Sequence, residues 1–199
     1  DVRRTRCARD AAGASGRIAV DVNGMLAASI AAPWLAAMAD QHVAWVEEPT
    51  APLDFAALAA LAAHTPVPVA TGENLFSFDD ARNLARYGGL DPARDRIQVD
   101  MLLAYGVGEY VRILREYENH GWSRSAFWPH AGHLFAAHCV AGLGLGAAEA
   151  APDAALPYGG YWDGVRVRDG TLTMPDVPGV GYESKANLRA LLDEALALH

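Results

Sequence analysis

Three acidic residues stand at a constant spacing, each closing an apolar run. They are Asp21 in IAVDVNG, Glu47 in VAWVEEP and Glu73 in VPVATGEN, 26 residues apart in both steps. An interval of that length holds one strand, one helix and two short loops. Successive βα units would therefore set one carboxylate each on the same rim. Carboxylates brought together repel, and a hard divalent cation with an all-oxygen shell is their natural counter-charge. The spacing predicts a metal site at the mouth of a parallel barrel.

Strand and helix signals alternate along the chain. Strands are expected at 18–23, 43–47, 67–71, 96–100 and 126–130, with a short sixth near 147–149. Helices are expected at 1–12, 26–40, 54–63, from Ser77 to the Gly88-Gly89 stop, across GEYVRILREYENHG, and at 133–143. Ser77 with Asp80 forms a capping box. Short apolar strands covered on both faces, in strict βα alternation, indicate an α/β fold. Six units are fewer than the eight of a (β/α)8 barrel, so the expectation is a partial TIM-type barrel, strands 3–8, with two strands upstream. Residues 1–150 would form the barrel portion. Residues 151–199 would form a closing segment, with a hairpin turning at Asp169-Gly170 and a last helix capped by Ser184 and running to Leu198.

The net charge of −8 excludes the basic surface that nucleic acid requires. The longest apolar stretch, 25–39, contains Pro33 and is too short to span a bilayer. Cys7 and Cys139 form no metal-binding or disulfide pattern, so a reducing cytoplasm is expected. GLGLG at 142–146 ends a helix, where a dinucleotide turn would open one, and a nucleotide-dependent oxidoreductase is disfavoured.

Catalytic groups of parallel barrels project from the C-terminal strand ends. That rule collects Asp21, Glu47, Glu73, Asp100, His130 and Glu149. His130 closes its strand directly and is preferred over His133, which would open the next helix and could also face the site. His138 lies mid-helix and reads as packed or surface. Asp100 is placed to hydrogen-bond a ring nitrogen of His130, orienting it and favouring its protonated form.

VDVNG, WVEEP, TGEN, the Asp of QVD and the strand-end His together resemble the mandelate racemase branch of the enolase superfamily. DPARDRIQVDMLLAYGVGEY, GWSRSAFWPHAGH and YGGYWDGVRVRDGTLTMPDVPGVGYE resemble more narrowly its D-tartrate dehydratase-like members. The resemblance implies Mg²⁺ held by Asp21, Glu47 and Glu73, a His130–Asp100 dyad, and Glu149 at the substrate's carboxylate or enediolate. Asn23, two residues beyond the first ligand, would contact the substrate or the metal's shell, and His133 would be a further substrate contact. It also implies a small acid-sugar substrate, a homo-oligomer, and neither nucleic-acid nor membrane partners.

The implied reaction is removal of an α-proton from a small α-hydroxy diacid, stabilisation of the enediolate and loss of the β-hydroxyl as water. D-tartrate would give oxaloacetate. The same parts can run racemisation or dehydrate another acid sugar. One departure stands out: the Lys-x-Lys base motif of these enzymes does not occur, and Lys185 is the only lysine. The motif and a capping domain are expected upstream of Asp1. Without them the chain could be an inactive barrel piece with a structural or interaction role.

Overall fold

A computed structural model describes residues 1–150, 160–163, 165 and 167–197. Helix α1 (Val2–Ala12) leads into β1 (Val20–Asp21), and α2 (Ala28–Ala39) returns the chain to β2 (Val46–Glu47). The pattern repeats through α3 (Phe55–Ala62), β3 (Val69–Thr71), α4 (Phe78–Tyr87), β4 (Arg96–Ile97), α5 (Val107–Asn119) and α6 (Leu134–Leu143). The four strands pair in parallel in sequence order, with Val20 beside Val46, Val46 beside Val69, and Ala70 beside Arg96. The architecture is α/β, a partial barrel, as the alternation predicts.

Two predicted strands are not regular. The 126–130 segment opens in a 3-10 turn (Arg124–Ala126) and then meets β4 through one parallel bridge, Phe127 to Ile97. Ser123 accepts from the Ser125 N–H and starts the turn, while Pro129 has no N–H to give a ladder. The 147–149 segment forms no ladder either, but it tracks its neighbour. The Gly146 N–H donates to the Phe127 carbonyl at 3.1 Å and the Glu149 N–H to the Pro129 carbonyl at 3.4 Å. The order of a barrel wall therefore continues past the last regular strand.

Helices cover the sheet, and α5 does so through one apolar stripe. In α5, Tyr110, Ile113, Leu114 and Tyr117 fall three and four residues apart and are buried. Burying Ile113 and Leu114 contributes about 1.5–3 kcal/mol each. They join Val69, Leu84, Ile97, Val99 and Phe127 in one core cluster, while Leu35, Met38, Val46 and Val67 form another beneath β1 and β2. At the N-terminal end of the strands, fully buried Asp95 accepts from the N–H groups of Val69 (2.9 Å) and Asp91 (2.8 Å) and from the Arg94 guanidinium (3.0 Å).

The C-terminal hairpin, β5 (Val167–Arg168) and β6 (Thr171–Leu172), turns at Asp169-Gly170 with both residues at positive φ (50° and 72°), as expected of this turn. The last helix, α7 (Ala186–Ala197), does not start on a Ser184 cap: Ser184 lies in a 3-10 turn, and Asp163 accepts the Ala186 N–H at 2.9 Å. Lys185 precedes α7 and is buried. The predicted end at Leu198, and the segment 151–159, lie outside the described residues. Among the described residues no helix is long and apolar enough to cross a membrane.

Candidate active site

The acidic residues close neighbouring parallel strands, but not in the register that their even spacing suggests. Asp21 pairs with Glu47, whereas the partner of Glu47 on β3 is Ala70, not Glu73. Glu73 sits three residues further along the chain, beyond Gly72 at φ 122°. A Cβ at Gly72 would stand 3.2 Å from both the Val99 side chain and its backbone nitrogen. The glycine lets the chain pass close against the Val99 backbone just before Glu73. Strand stagger is inherent to barrels, so equal spacing in sequence is not equal height on the wall.

Glu47 and Glu73 are buried and in hydrogen-bond contact. Burial, the bond with Glu47, and the charges of Glu48, Glu47 and Asp21 together push the Glu73 carboxyl up to about 8. Asp21 is exposed, and its oxygens accept from the backbone N–H (2.8 Å) and the side-chain amide of Asn23. Among the described residues no three His, Cys, Asp or Glu side chains are drawn together as a ready-formed metal shell. Asp21 turns to Asn23 instead, while Glu47 and Glu73 stay buried. The donor set nonetheless fits a hard cation. It is all oxygen, two of its carboxylates are buried, and burial first and the neighbouring acids next raise Glu73.

That shift predicts a pH dependence. A folded-state pKa above the ordinary 4.5 means that the folded protein holds the proton more tightly than the unfolded chain. The associated stability is fully present below about 4.5 and is lost as pH rises toward about 8. In EDTA, Tm is expected to fall across this window, and Mg²⁺ should flatten or reverse the slope. Parallel melts from pH 5 to 8.5, with and without the ion, check it; identical slopes would remove the cation from the account.

The histidines depart from expectation. Asp100 does not bond His130. It accepts from the His133 Nε2 at 2.9 Å and from the Leu102 N–H at 2.6 Å. Burial alone would raise the Asp100 carboxyl; the hydrogen bond and charge of His133, with the Leu102 and Leu103 N–H groups, outweigh it and hold the group below its ordinary value. His133 is the N-cap of α6, its Nδ1 accepting from the Ala136 N–H at 2.9 Å. Both of its ring nitrogens are therefore engaged.

His130 faces the carboxylates instead, its Nε2 3.8 Å from Glu73 Oε2. Its Nδ1 is buried with no hydrogen-bond partner among the described residues. The segment from His130 to His133 is pinned from the other side by Glu149, whose Oε2 accepts from the Ala131 N–H at 2.8 Å. Burial raises the Glu149 carboxyl against the opposing pull of that bond and of His130. The Tyr161 hydroxyl donates to the Glu149 carbonyl at 2.9 Å. His138, away from this rim, bonds the Val180 carbonyl at 3.1 Å and packs edge-on to Trp162. Two further residues, Glu48 and Asn74, are part of the site and were not singled out from sequence. Their only signal there is position, each directly after an expected ligand.

A family model described as enolase C-terminal domain-like matches residues 1–188. The chain belongs to that family. Among curated enolase-superfamily relatives, it is 31% identical over 121 residues to an L-talarate/galactarate dehydratase of Salmonella typhimurium, covering 61% of this chain and 29% of the relative. It is 30% identical over 105 residues to a D-galactonate dehydratase of Ralstonia pickettii, covering 53% and 26%. The solved Salmonella dehydratase superposes with a TM-score of 0.77 at 25% identity, covering 96% of this chain and 46% of that one. A mandelate racemase/muconate lactonizing enzyme from a Polaromonas species shares the fold, with a TM-score of 0.81 at 24% identity, covering 96% and 50%. The enolase C-terminal domain-like chain thus spans about half the length of the solved relatives and less of the curated ones.

Proposed function

We propose that the full-length protein is a Mg²⁺-dependent dehydratase of small α-hydroxy diacids, with D-tartrate, converted to oxaloacetate, as the leading substrate. The observation that carries the reading is the carboxylate rim: Asp21 beside Glu47 in register, and Glu47 against Glu73, whose carboxyl is raised by burial first and by its acidic neighbours next. These three would hold the ion. When bound, it would supply positive charge that acidifies a substrate α-proton and stabilises the charge left by its removal.

His130 is the proposed acid. It faces the carboxylate pair, and unlike His133 it has a ring nitrogen directed at the rim. It would donate a proton to the departing β-hydroxyl. Asp100 acts one step back: it grips His133 and so anchors the segment that carries His130. Glu149 would contact a substrate oxygen, its carboxyl already fixed by the Ala131 N–H. Asn23 is placed beside Asp21 and would meet the substrate once its amide is released. His133 is removed from the set of substrate contacts because both nitrogens are used. The base on the opposite face is assigned to a Lys-x-Lys element outside these 199 residues, since Lys185 is buried ahead of α7.

Dehydration is favoured over racemisation by the two dehydratase relatives, which act on other acid sugars by name. The test is the full-length protein with Mg²⁺ and a panel of D-, L- and meso-tartrate, galactarate, L-talarate and D-galactonate, assayed for 2-keto acid. The same reactions in D₂O, followed by NMR, report α-proton exchange. D-tartrate should give oxaloacetate, and EDTA should stop it. Turnover of galactarate alone would move the substrate to the longer diacids, and exchange without water loss would make the protein a racemase. Silence on both readouts across the panel would leave a non-catalytic role.

A further inference from the structure

We propose that Glu48 is a positioning residue that fixes the spacing of the three carboxylate-bearing strand ends, and that its bond to Asn74 makes the site prefer Mg²⁺ over larger divalent ions. This rests on the metal reading above. Each hydrogen-bonding group of Glu48 engages a segment that carries a proposed ligand. Its N–H donates to the Ala70 carbonyl in β3 at 2.9 Å. Its carbonyl accepts from the Gly24 N–H at 2.9 Å, in the turn that follows Asp21. Both carboxylate oxygens accept from the Asn74 Nδ2 at 3.0 Å. The same nitrogen lies 3.4 Å from Glu73 Oε1. Glu48 itself is joined by a peptide bond to Glu47. One residue thus touches the neighbourhoods of Asp21, Glu47 and Glu73 at once.

The backbone shows that this arrangement is constrained. Glu48 is 1% exposed and holds φ at +42°. A side chain in that left-handed region is strained, and persists only where its surroundings over-determine it. A plain structural anchor has no need of a buried carboxylate, which is costly to desolvate and stands beside other acids. The acid makes sense as an acceptor aimed at Asn74, because it turns the amide nitrogen toward Glu73 and thereby orients that ligand. Mg²⁺ demands near-octahedral geometry at about 2.0–2.1 Å, whereas Ca²⁺ accepts looser shells at about 2.3–2.6 Å. A rigid spacing therefore discriminates by size, and a slack one does not.

The experiment is Mn²⁺ binding by electron paramagnetic resonance in the full-length protein, with Mg²⁺ and Ca²⁺ as competitors. Glu48→Ala, Glu48→Gln, Asn74→Ala and the double alanine variant are compared with wild type. Loss of an outer partner of this kind costs on the order of 10–100-fold in metal affinity. Glu48→Ala should weaken Mg²⁺ by that factor and Ca²⁺ by less, so the preference narrows. Asn74→Ala should do the same, and the double variant should add little. Glu48→Gln keeps an oxygen for Asn74 and should retain most of the preference. Equal loss for both ions, or none, would overturn the positioning role while leaving the metal reading intact. Wild type that binds no Mn²⁺ would bring down the metal reading and this inference together. Should Glu48→Ala fail to fold, Asn74→Ala and Asn74→Ser carry the same comparison, with Glu48→Gln as the control that keeps the preference.

Discussion

Replacing His130 by Asn in the full-length protein is expected to lower turnover by about 10²–10⁴-fold, the usual contribution of a positioned acid. Mn²⁺ affinity and Tm should change little, because among the described residues His130 has no hydrogen bond to a neighbouring side chain, and it sits 3.8 Å from Glu73. His133→Asn should behave differently. Its imidazole fills two structural roles, capping α6 and pairing with buried Asp100. Removing it leaves a desolvated carboxylate short of a partner, a change that costs roughly 3–5 kcal/mol for buried pairs. The expected signature is a drop in Tm, with a smaller loss of rate per folded molecule. An active His130→Asn beside a stable but inert His133→Asn would transfer the acid's role to His133. The two variants separate the histidines in one experiment.

Gly132→Ala is expected to be a damaging small substitution at the site. Gly132 holds φ at +57°, and an added Cβ would stand 2.6 Å from the Glu149 carbonyl oxygen. The obstacle is backbone and cannot swing aside. The left-handed conformation costs a non-glycine residue roughly 1–2 kcal/mol by itself, and relieving the clash means prising the 129–133 segment from Glu149. That would break the Ala131 N–H bond to the Glu149 carboxyl. A loss on the order of 2–4 kcal/mol in stability is expected, together with loss of activity. Ala131→Gly gives the control. Ala131 is itself at φ +74°, so glycine there relieves strain without adding atoms. Wild-type melting and activity in Gly132→Ala would show that this segment is slack.

Much of the fold was legible because βα alternation is written in composition: apolar runs at 43–47 and 67–71, a stripe in α5, a Ser77 cap that accepts the Asp80 N–H at 3.1 Å. The carboxylate ends were legible for the same reason, since each closes such a run. What could not be read was register. Asp21 and Glu47 are neighbours on the wall, but Glu73 lies three residues past the β3 partner of Glu47, beyond a glycine, and nothing in a 26-residue period reveals a barrel's stagger. The Asp100 partner was misjudged because strand-end position cannot decide between two histidines three residues apart. The decision lies in two consecutive left-handed residues, Ala131 and Gly132, which turn His133 back toward Asp100. Glu48 and Asn74 were hidden by adjacency, reading as companions of the ligands they serve.

Buried Asp95, at the end of the strands away from the carboxylates, collects N–H groups of Val69 and Asp91 and the Arg94 guanidinium. Its influence on the reaction can only be indirect, through whether the wall assembles. Lesions there should thin the population of folded molecules and leave each survivor chemically unimpaired. The two mouths of this barrel are thus open to independent variation: one can drift in what it recognises while the other keeps the scaffold intact.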